Sequence, residues 1–168
     1  MTLSMYQASV PVFIQGLINL SAILTKAENY ATAKKIEPSV LINSRLAPDM
    51  FALARQVQIA TDIVKGGVSR LAAVEVPSYA DTETTFEELQ ARVAKTIAYL
   101  KTFDAKKVDG SEDRKISLKV GGNELDFDGQ SYLLGFVIPN FYFHIVTTYG
   151  ILRHNGLDIG KKDFLGSK

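Results

Sequence analysis

Residues 131–154 constrain the fold of this chain more than any other stretch. Tyr132, Leu133, Phe136, Val137, Phe141, Phe143, Val146, Tyr149 and Leu152 recur at helical spacing, yet they cover several sides of the helix they form. A helix with one apolar stripe can lie on a surface, whereas one that is apolar on several sides must be surrounded. The spacing predicts a central helix from about Ser131 to His154, and other helices have to cover it. Pro139 predicts a kink and a freed carbonyl one turn earlier. Gly156 is placed to cap the C-terminus.

Three earlier stretches supply the cover. Over 4–27, Ser4 can cap a helix whose wide apolar face includes Met5, Ala8, Val12, Leu17, Leu20 and Leu24. Pro11 marks either a late start or a kink there. Residues 28–46 are mixed and read as a loop or short helix. A second helix is expected to begin at Pro48 or Asp49, because proline suits a first helical turn and aspartate complements the helix dipole. Met50, Leu53, Ala54, Val57, Ala60, Val64, Val68 and Leu71 then follow at helical spacing, interrupted by Gly66-Gly67, which permits close packing or a bend. The third helix opens on a capping box, Thr84 with Glu87 or Thr85 with Glu88. It continues through Leu89, Val93, Ile97 and Leu100 and closes over Lys106 to Gly110.

The period then changes from 3.6 to 2. Ile116, Leu118 and Val120 alternate with polar residues, and after Gly121-Gly122-Asn123 the alternation resumes at Leu125 and Phe127. Two alternating runs across such a turn make a β-hairpin. A lone hairpin is marginal in water, so it is expected to lie against the helices. The expected fold is all-α: one domain over 1–168, an antiparallel four-helix bundle with a small β-hairpin inserted before the last helix.

Composition excludes several functions. The chain of 168 residues carries 19 basic and 18 acidic side chains and no cysteine. Near-neutral charge without a basic cluster argues against a nucleic-acid partner. The absence of cysteine excludes disulfides, thiolate nucleophiles and cysteine-type zinc sites. The start has no basic n-region of a signal peptide. The apolar run Val10–Leu24 is interrupted by Gln15 and Asn19 and is short for a span of about 20 residues. The expectation is a cytoplasmic protein with no membrane partner.

Asn140 and His144 stand one turn apart and share a face of the last helix. Two ligands so placed could grip one metal ion, but only one is histidine. His144 could serve as a ligand or general base. The favoured plain reading is a core histidine bonded to a neighbouring polar side chain. Asn140 could bond His144 or a carbonyl freed near Pro139. Gln58, with Gln56 and Arg55 nearby, is read as lining a cavity, and Asp62 as exposed or paired with Lys65. His154 suits the negative end of the helix dipole. Tyr132, Tyr142 and Tyr149 could line a pocket, although aromatics at this spacing more often build core. No nucleophile elbow or zinc-protease motif is present.

The block Phe141-Tyr-Phe-His144 through Tyr149-Gly-Ile-Leu-Arg-His154-Asn-Gly156, followed by Gly160-Lys-Lys-Asp-Phe-Leu-Gly166, resembles an uncharacterised family within the DinB/YfiT-like superfamily. So does Ala47-Pro-Asp-Met-Phe-Ala-Leu-Ala-Arg-Gln-Val-Gln58. The resemblance implies a four-helix bundle that is commonly dimeric. Many members bind a divalent metal through three histidines, one on the second helix and two at i, i+4 on the last, and some are thiol-dependent transferases or hydrolases. Here His144 matches the second histidine of the pair and Asn140 replaces the first. The second helix has no histidine, with Gln58 the nearest polar candidate and Gln56 its rival. Neutral amide oxygens suit hard cations better than zinc.

The expectation is a degenerate, metal-free site with pocket residues Gln58, Asn140, His144 and Tyr149, in a homodimer that binds a small molecule or a partner. The alternative is a divergent metal-dependent enzyme, of thiol transferase or hydrolase type, in which His144 and oxygen ligands hold a divalent ion. A dimer interface is expected on the first two helices.

Overall fold

A computed structural model describes residues 3–166. The chain is mostly helical and carries one two-stranded antiparallel sheet.

Helix α1 runs Met5–Lys34. Ser4 and Gln7 form a reciprocal capping box, each side chain bonding the other's backbone N–H. The helix passes through Pro11 and extends past the expected end, because Ala27 and Ala31 continue its buried stripe. Lys35 ends it in the left-handed region at φ 56°. By length and composition α1 could cross a membrane. Its apolar stripe is instead occupied: Phe13, Leu17 and Leu24 are fully buried, and the Phe13 ring meets Phe141 edge-on at 5.4 Å.

Short helix α2 spans Pro38–Ile42 and α3 spans Leu53–Leu71. Helix α3 starts later than the Pro48 or Asp49 expected from sequence. The Met50 N–H bonds the Ala47 carbonyl, making Pro48-Asp49 a turn, and the Leu53 N–H bonds back to Ser44. Helix α4, Phe86–Leu100, opens on the Thr85–Glu88 capping box, the second of the two expected registers. It stops at Leu100, and the Lys106–Gly110 region belongs to a separate turn of helix, α5, Ala105–Val108, capped by Asp104.

Strands β1, Lys115–Val120, and β2, Asn123–Asp128, pair with Val120 opposite Asn123. Gly121 and Gly122 both have positive φ, as a two-residue type I′ connection requires. Ile116 faces Phe127 and Leu118 faces Leu125 on one side of the ribbon. Lys115–Asp128 and Lys119–Glu124 pair on the other. The Phe127 ring packs on Tyr132 and Phe136, joining the hairpin to the last helical stretch.

That stretch has three parts: α6, Gly129–Tyr132; a π-helical turn, Leu133–Val137; and α7, Ile138–His154. The Ile138 N–H bonds the Leu133 carbonyl, five residues back. Proline cannot donate to the turn before it, and the widened turn falls there, immediately before Pro139. Gly67 on α3 approaches this turn so closely that a Cβ would sit 2.7 Å from a Val137 methyl. Of the readings of Gly66-Gly67, close packing is the one realised. Gly156, at φ 92°, follows the end of α7. Helix α8, Lys161–Leu165, folds back on α1.

Helix α3 packs on α4 and α7, and α1 packs on α4 and α7. The core between them is apolar, including Val57, Val64, Leu89, Val93, Phe141 and Leu152.

Candidate functional site

His144 lies on the side of α7 that faces α3 and is 7% exposed. Its Nδ1 is 2.7 Å from Gln56 Oε1. Gln56 comes from the first turn of α3, and its amide nitrogen donates to the Phe51 carbonyl at 3.0 Å. That second bond fixes the amide: nitrogen toward Phe51, oxygen toward the imidazole. An amide oxygen only accepts, so Nδ1 carries the proton and the neutral ring keeps its lone pair on Nε2. Burial, and then the charge of Arg55, push the His144 pKa below its ordinary value. The ring is therefore a neutral hydrogen-bond acceptor around neutral pH. Thr148 Oγ1 donates to the His144 carbonyl, and the Phe143 ring stands edge-on to the imidazole at 5.3 Å.

Apolar side chains are exposed on α7 and on the connection that precedes α3. Phe143 and Val146 on α7, with Leu46 and Phe51 from the connection into α3, are all exposed. Gly150 lies beside Leu46 and carries the apolar strip along α7.

Other residues singled out from sequence fall elsewhere. Gln58 does not face His144. Its side chain donates to Glu83 at 3.0 Å and accepts from Arg55 at 3.2 Å. The reason is rotation: residues two apart on a helix point about 200° apart, so once Gln56 faces α7, Gln58 cannot. Asn140 is half-buried and makes no side-chain hydrogen bond among the described residues, neither to His144 nor to a freed carbonyl. Tyr149 has no part in the His144 site. Its hydroxyl donates to the Ile159 carbonyl and its ring meets Phe164, holding the tail. Phe164 is half-buried and Leu165 is exposed. Tyr132 is core, donating no pocket hydroxyl, and accepts a bond from Arg70.

Sequence reasoning passed over a polar cluster between α3 and α4. Arg92 is 4% exposed and sits in the helical register of Leu89 and Thr96, the signal that could have marked it as inward. Its guanidinium donates to Thr61 at 2.7 Å, to Glu83 at 3.0 Å and to the Ala80 carbonyl at 2.9 Å. It pairs with Asp62 at 2.9 Å and Asp81 at 3.1 Å. Burial alone would lower the Arg92 pKa, but these partners outweigh it and hold the pKa above its ordinary value. Asp62 also pairs with Lys65, as expected, and Asp81 with Arg55. The Tyr79 ring lies between the Lys65 and Lys95 ammonium groups at 3.8 and 4.1 Å. Burial pushes the Tyr79 hydroxyl pKa up. Together these contacts fasten the connection 72–85 to both helices.

A divalent metal centre asks for three or more nitrogen, sulfur or carboxylate donors around one point. Among the described residues no such group of His, Cys, Asp or Glu exists. The side chain bonded to His144 is the neutral Gln56 amide, whose oxygen is already engaged by Nδ1–H, and the charge acting on the ring is the Arg55 cation. The donor set does not fit the metal that the superfamily resemblance implies.

The mostly helical architecture, with its hairpin ahead of the last helix and a histidine between α3 and α7, defines a DinB-like protein. It is similar to a solved structure described as a DinB family member protein from Shewanella denitrificans: 44% identity, 97% of this chain and 92% of that chain covered, TM-score 0.87. The family profile "Domain of unknown function (DUF1993)" matches residues 5–165, and the chain belongs to that family. A comparison with curated proteins finds no match.

Proposed function

We propose that this DinB-like chain is an antiparallel four-helix bundle whose metal centre has given way to a hydrogen-bonded His144–Gln56 pair. In this reading it is a cytoplasmic homodimer that binds a small molecule or a partner protein and holds no resident metal. The contacts of α1, α3, α4 and α7 support the bundle. The observation that carries the functional reading is the 2.7 Å bond between His144 Nδ1 and Gln56 Oε1. It spends the one nearby amide oxygen on the ring and leaves a single buried acceptor, Nε2, with no charged partner to stabilise a cation.

The exposed large apolar side chains support a dimer face different from the one expected. On α1 the exposed residue of this kind is Ile18, and none lies within α3. Phe143 and Val146 on α7, with Leu46 and Phe51 of the connection into α3, are the larger exposed set. Contiguous apolar patches mark interaction sites, and we place the interface there.

The same bond favours one alternative. Metal-bound histidines commonly hold Nδ1–H against a carbonyl and offer Nε2 to the ion, and His144 has that polarity. A divergent metal-dependent enzyme would use it. Elemental analysis of untagged wild type and His144→Ala separates the two. The binding reading expects no stoichiometric metal in either. Stoichiometric metal that disappears in His144→Ala would overturn it and justify a thiol-transfer screen. Light scattering at micromolar concentration expects a dimer for wild type and a monomer for Val146→Glu.

A further inference from the structure

Away from His144, α7 meets α1 and the C-terminal helix α8 along a groove of about 460 Å³. This is the size of a small-molecule site, for which about 300–1,000 Å³ is usual. Val12 from α1, Ile145 from α7, and Phe164 and Leu165 from α8 supply apolar wall. Gln15 and Tyr142 supply neutral polar groups, and no charged side chain lines it among the described residues.

The wall made by α8 is fastened from several sides. Asn19, itself buried, donates to the Phe164 carbonyl at 3.0 Å and accepts from Gln15 at 2.9 Å. Lys26 pairs with Asp163, and Asp163 caps the Gly160 N–H at 2.7 Å. Tyr149 braces the Phe164 ring edge-on at 6.1 Å. Phe164 and Ile145 also line a small void of about 10 Å³ with Leu20 and Ile23 of α1. A cavity that size holds one water at most, and its largely apolar lining leaves it little to bond. The groove therefore has a preformed wall.

We propose that this groove binds an uncharged amphipathic small molecule. The apolar chain or ring lies between Val12, Ile145 and Phe164, and a hydroxyl or amide head meets Gln15 and Tyr142. Charge selects the class. A carboxylate or ammonium head would lose water without meeting an opposite charge, a cost that a neutral head avoids. The site is separate from His144 and stands whether or not the His144 reading holds.

The test is a fluorescence titration of the full chain with N-phenyl-1-naphthylamine, an uncharged aromatic probe, at neutral pH. Saturable one-site binding is expected, displaced by 1-octanol and not by octanoate at equal concentration. Val12→Trp, which fills the groove from the surface of α1, should weaken binding at least about ten-fold, while His144→Ala leaves it unchanged. Amide shifts in the wild-type NMR spectrum should centre on Gly16, Phe164 and Leu165, a readout that needs no variant to fold. Equal binding by Val12→Trp, equal competition by octanoate, or shifts centred elsewhere would each overturn the proposal.

Discussion

Two adjacent glycines in α3 should respond differently to alanine. Glycine to alanine inside a helix gains about 1 kcal/mol from propensity alone. At Gly67 the new Cβ would sit 2.7 and 3.1 Å from the two Val137 methyls. Val137 is fully buried, and its β-branched side chain has few rotamers to escape into. Overpacking of this kind costs about 1–3 kcal/mol, so Gly67→Ala should come out about 0–2 kcal/mol less stable. At Gly66 the nearest atom is Arg70 Nη1 at 2.5 Å, the far end of a flexible chain, with Val76 in ordinary contact at 3.8 Å. Moving Arg70 risks its 3.1 Å bond to the Tyr132 hydroxyl, worth about 0.5–1.5 kcal/mol net. That offsets much or all of the propensity gain, so Gly66→Ala should be near neutral or slightly stabilising. Urea unfolding at constant m-value measures both. In a Val137→Ala background the clash is gone, and Gly67→Ala should turn stabilising by up to about 1 kcal/mol. If Gly67→Ala is as stable as Gly66→Ala, or if Val137→Ala leaves its effect unchanged, the close packing of α3 on the π turn is not what selects glycine there.

Arg92→Met should cost about 3–5 kcal/mol in the same assay, because it leaves Glu83, Asp62 and Asp81 without their shared cation; a loss under about 1 kcal/mol would show a solvated network. The His144 ring should titrate by NMR below the ordinary histidine value, since burial and Arg55 lower it in the folded state. The unfolded chain then binds the extra proton first, so stability falls as pH drops from the unfolded to the folded pKa and is flat above that window. His144→Gln should remove this slope, and a slope that survives the substitution belongs to another group. Gln56→Leu leaves Nδ1–H buried without a partner and should destabilise by about 1–3 kcal/mol, read by thermal or urea melts. Gly129→Ala should fail to fold or lose more than about 3 kcal/mol, because its Cβ would fall 1.9 Å from the Ser111 carbonyl oxygen; a folded variant of wild-type stability would refute that crossing.

What was legible in the sequence was local. Ser4 and the Thr85–Glu88 box mark helix starts because a cap is satisfied within three residues. The hairpin is legible because two glycines at positive φ join two runs of period 2. The start of α3 was not, because Pro48-Asp49, a good opening for a helix, is held in a turn while Leu53 bonds back to Ser44, nine residues earlier. No local signal carries that contact. The α1 end was hidden by a polar tail whose Ala27 and Ala31 are nonetheless buried. At the site, His144 was found by residue type, but its partner depends on helix rotation. A rotation of two residues exchanges Gln56, which meets the imidazole, for Gln58, which meets Glu83. Arg92 escaped because its three carboxylates arrive from α3 and from an irregular connection, and only the fold brings them to one cation.

That cluster and the histidine site are linked through the first turns of α3. Arg55 reaches Asp81, Gln58 reaches Glu83, and both acids also bind Arg92. Gln56 lies between the two on the opposite side of the helix, so the bonds that hold Arg55 and Gln58 to the 72–85 connection set the rotation that aims Gln56 at α7. The acids nearest this turn, Asp81 and Glu83, are already paired on that far side. The groups in contact with the His144 ring are the Gln56 amide and the Phe143 ring, and the nearest charge acting on it is the Arg55 cation. In the metal-free reading proposed above, Asn140 stands where the resemblance places the first histidine of the last-helix pair, Gln56 occupies Nδ1, and Asp81 and Glu83 are bound to Arg55 and Arg92. No single substitution at Gln56 supplies three donors, so the metal-free reading rests on the whole arrangement of α3 and not on one missing histidine.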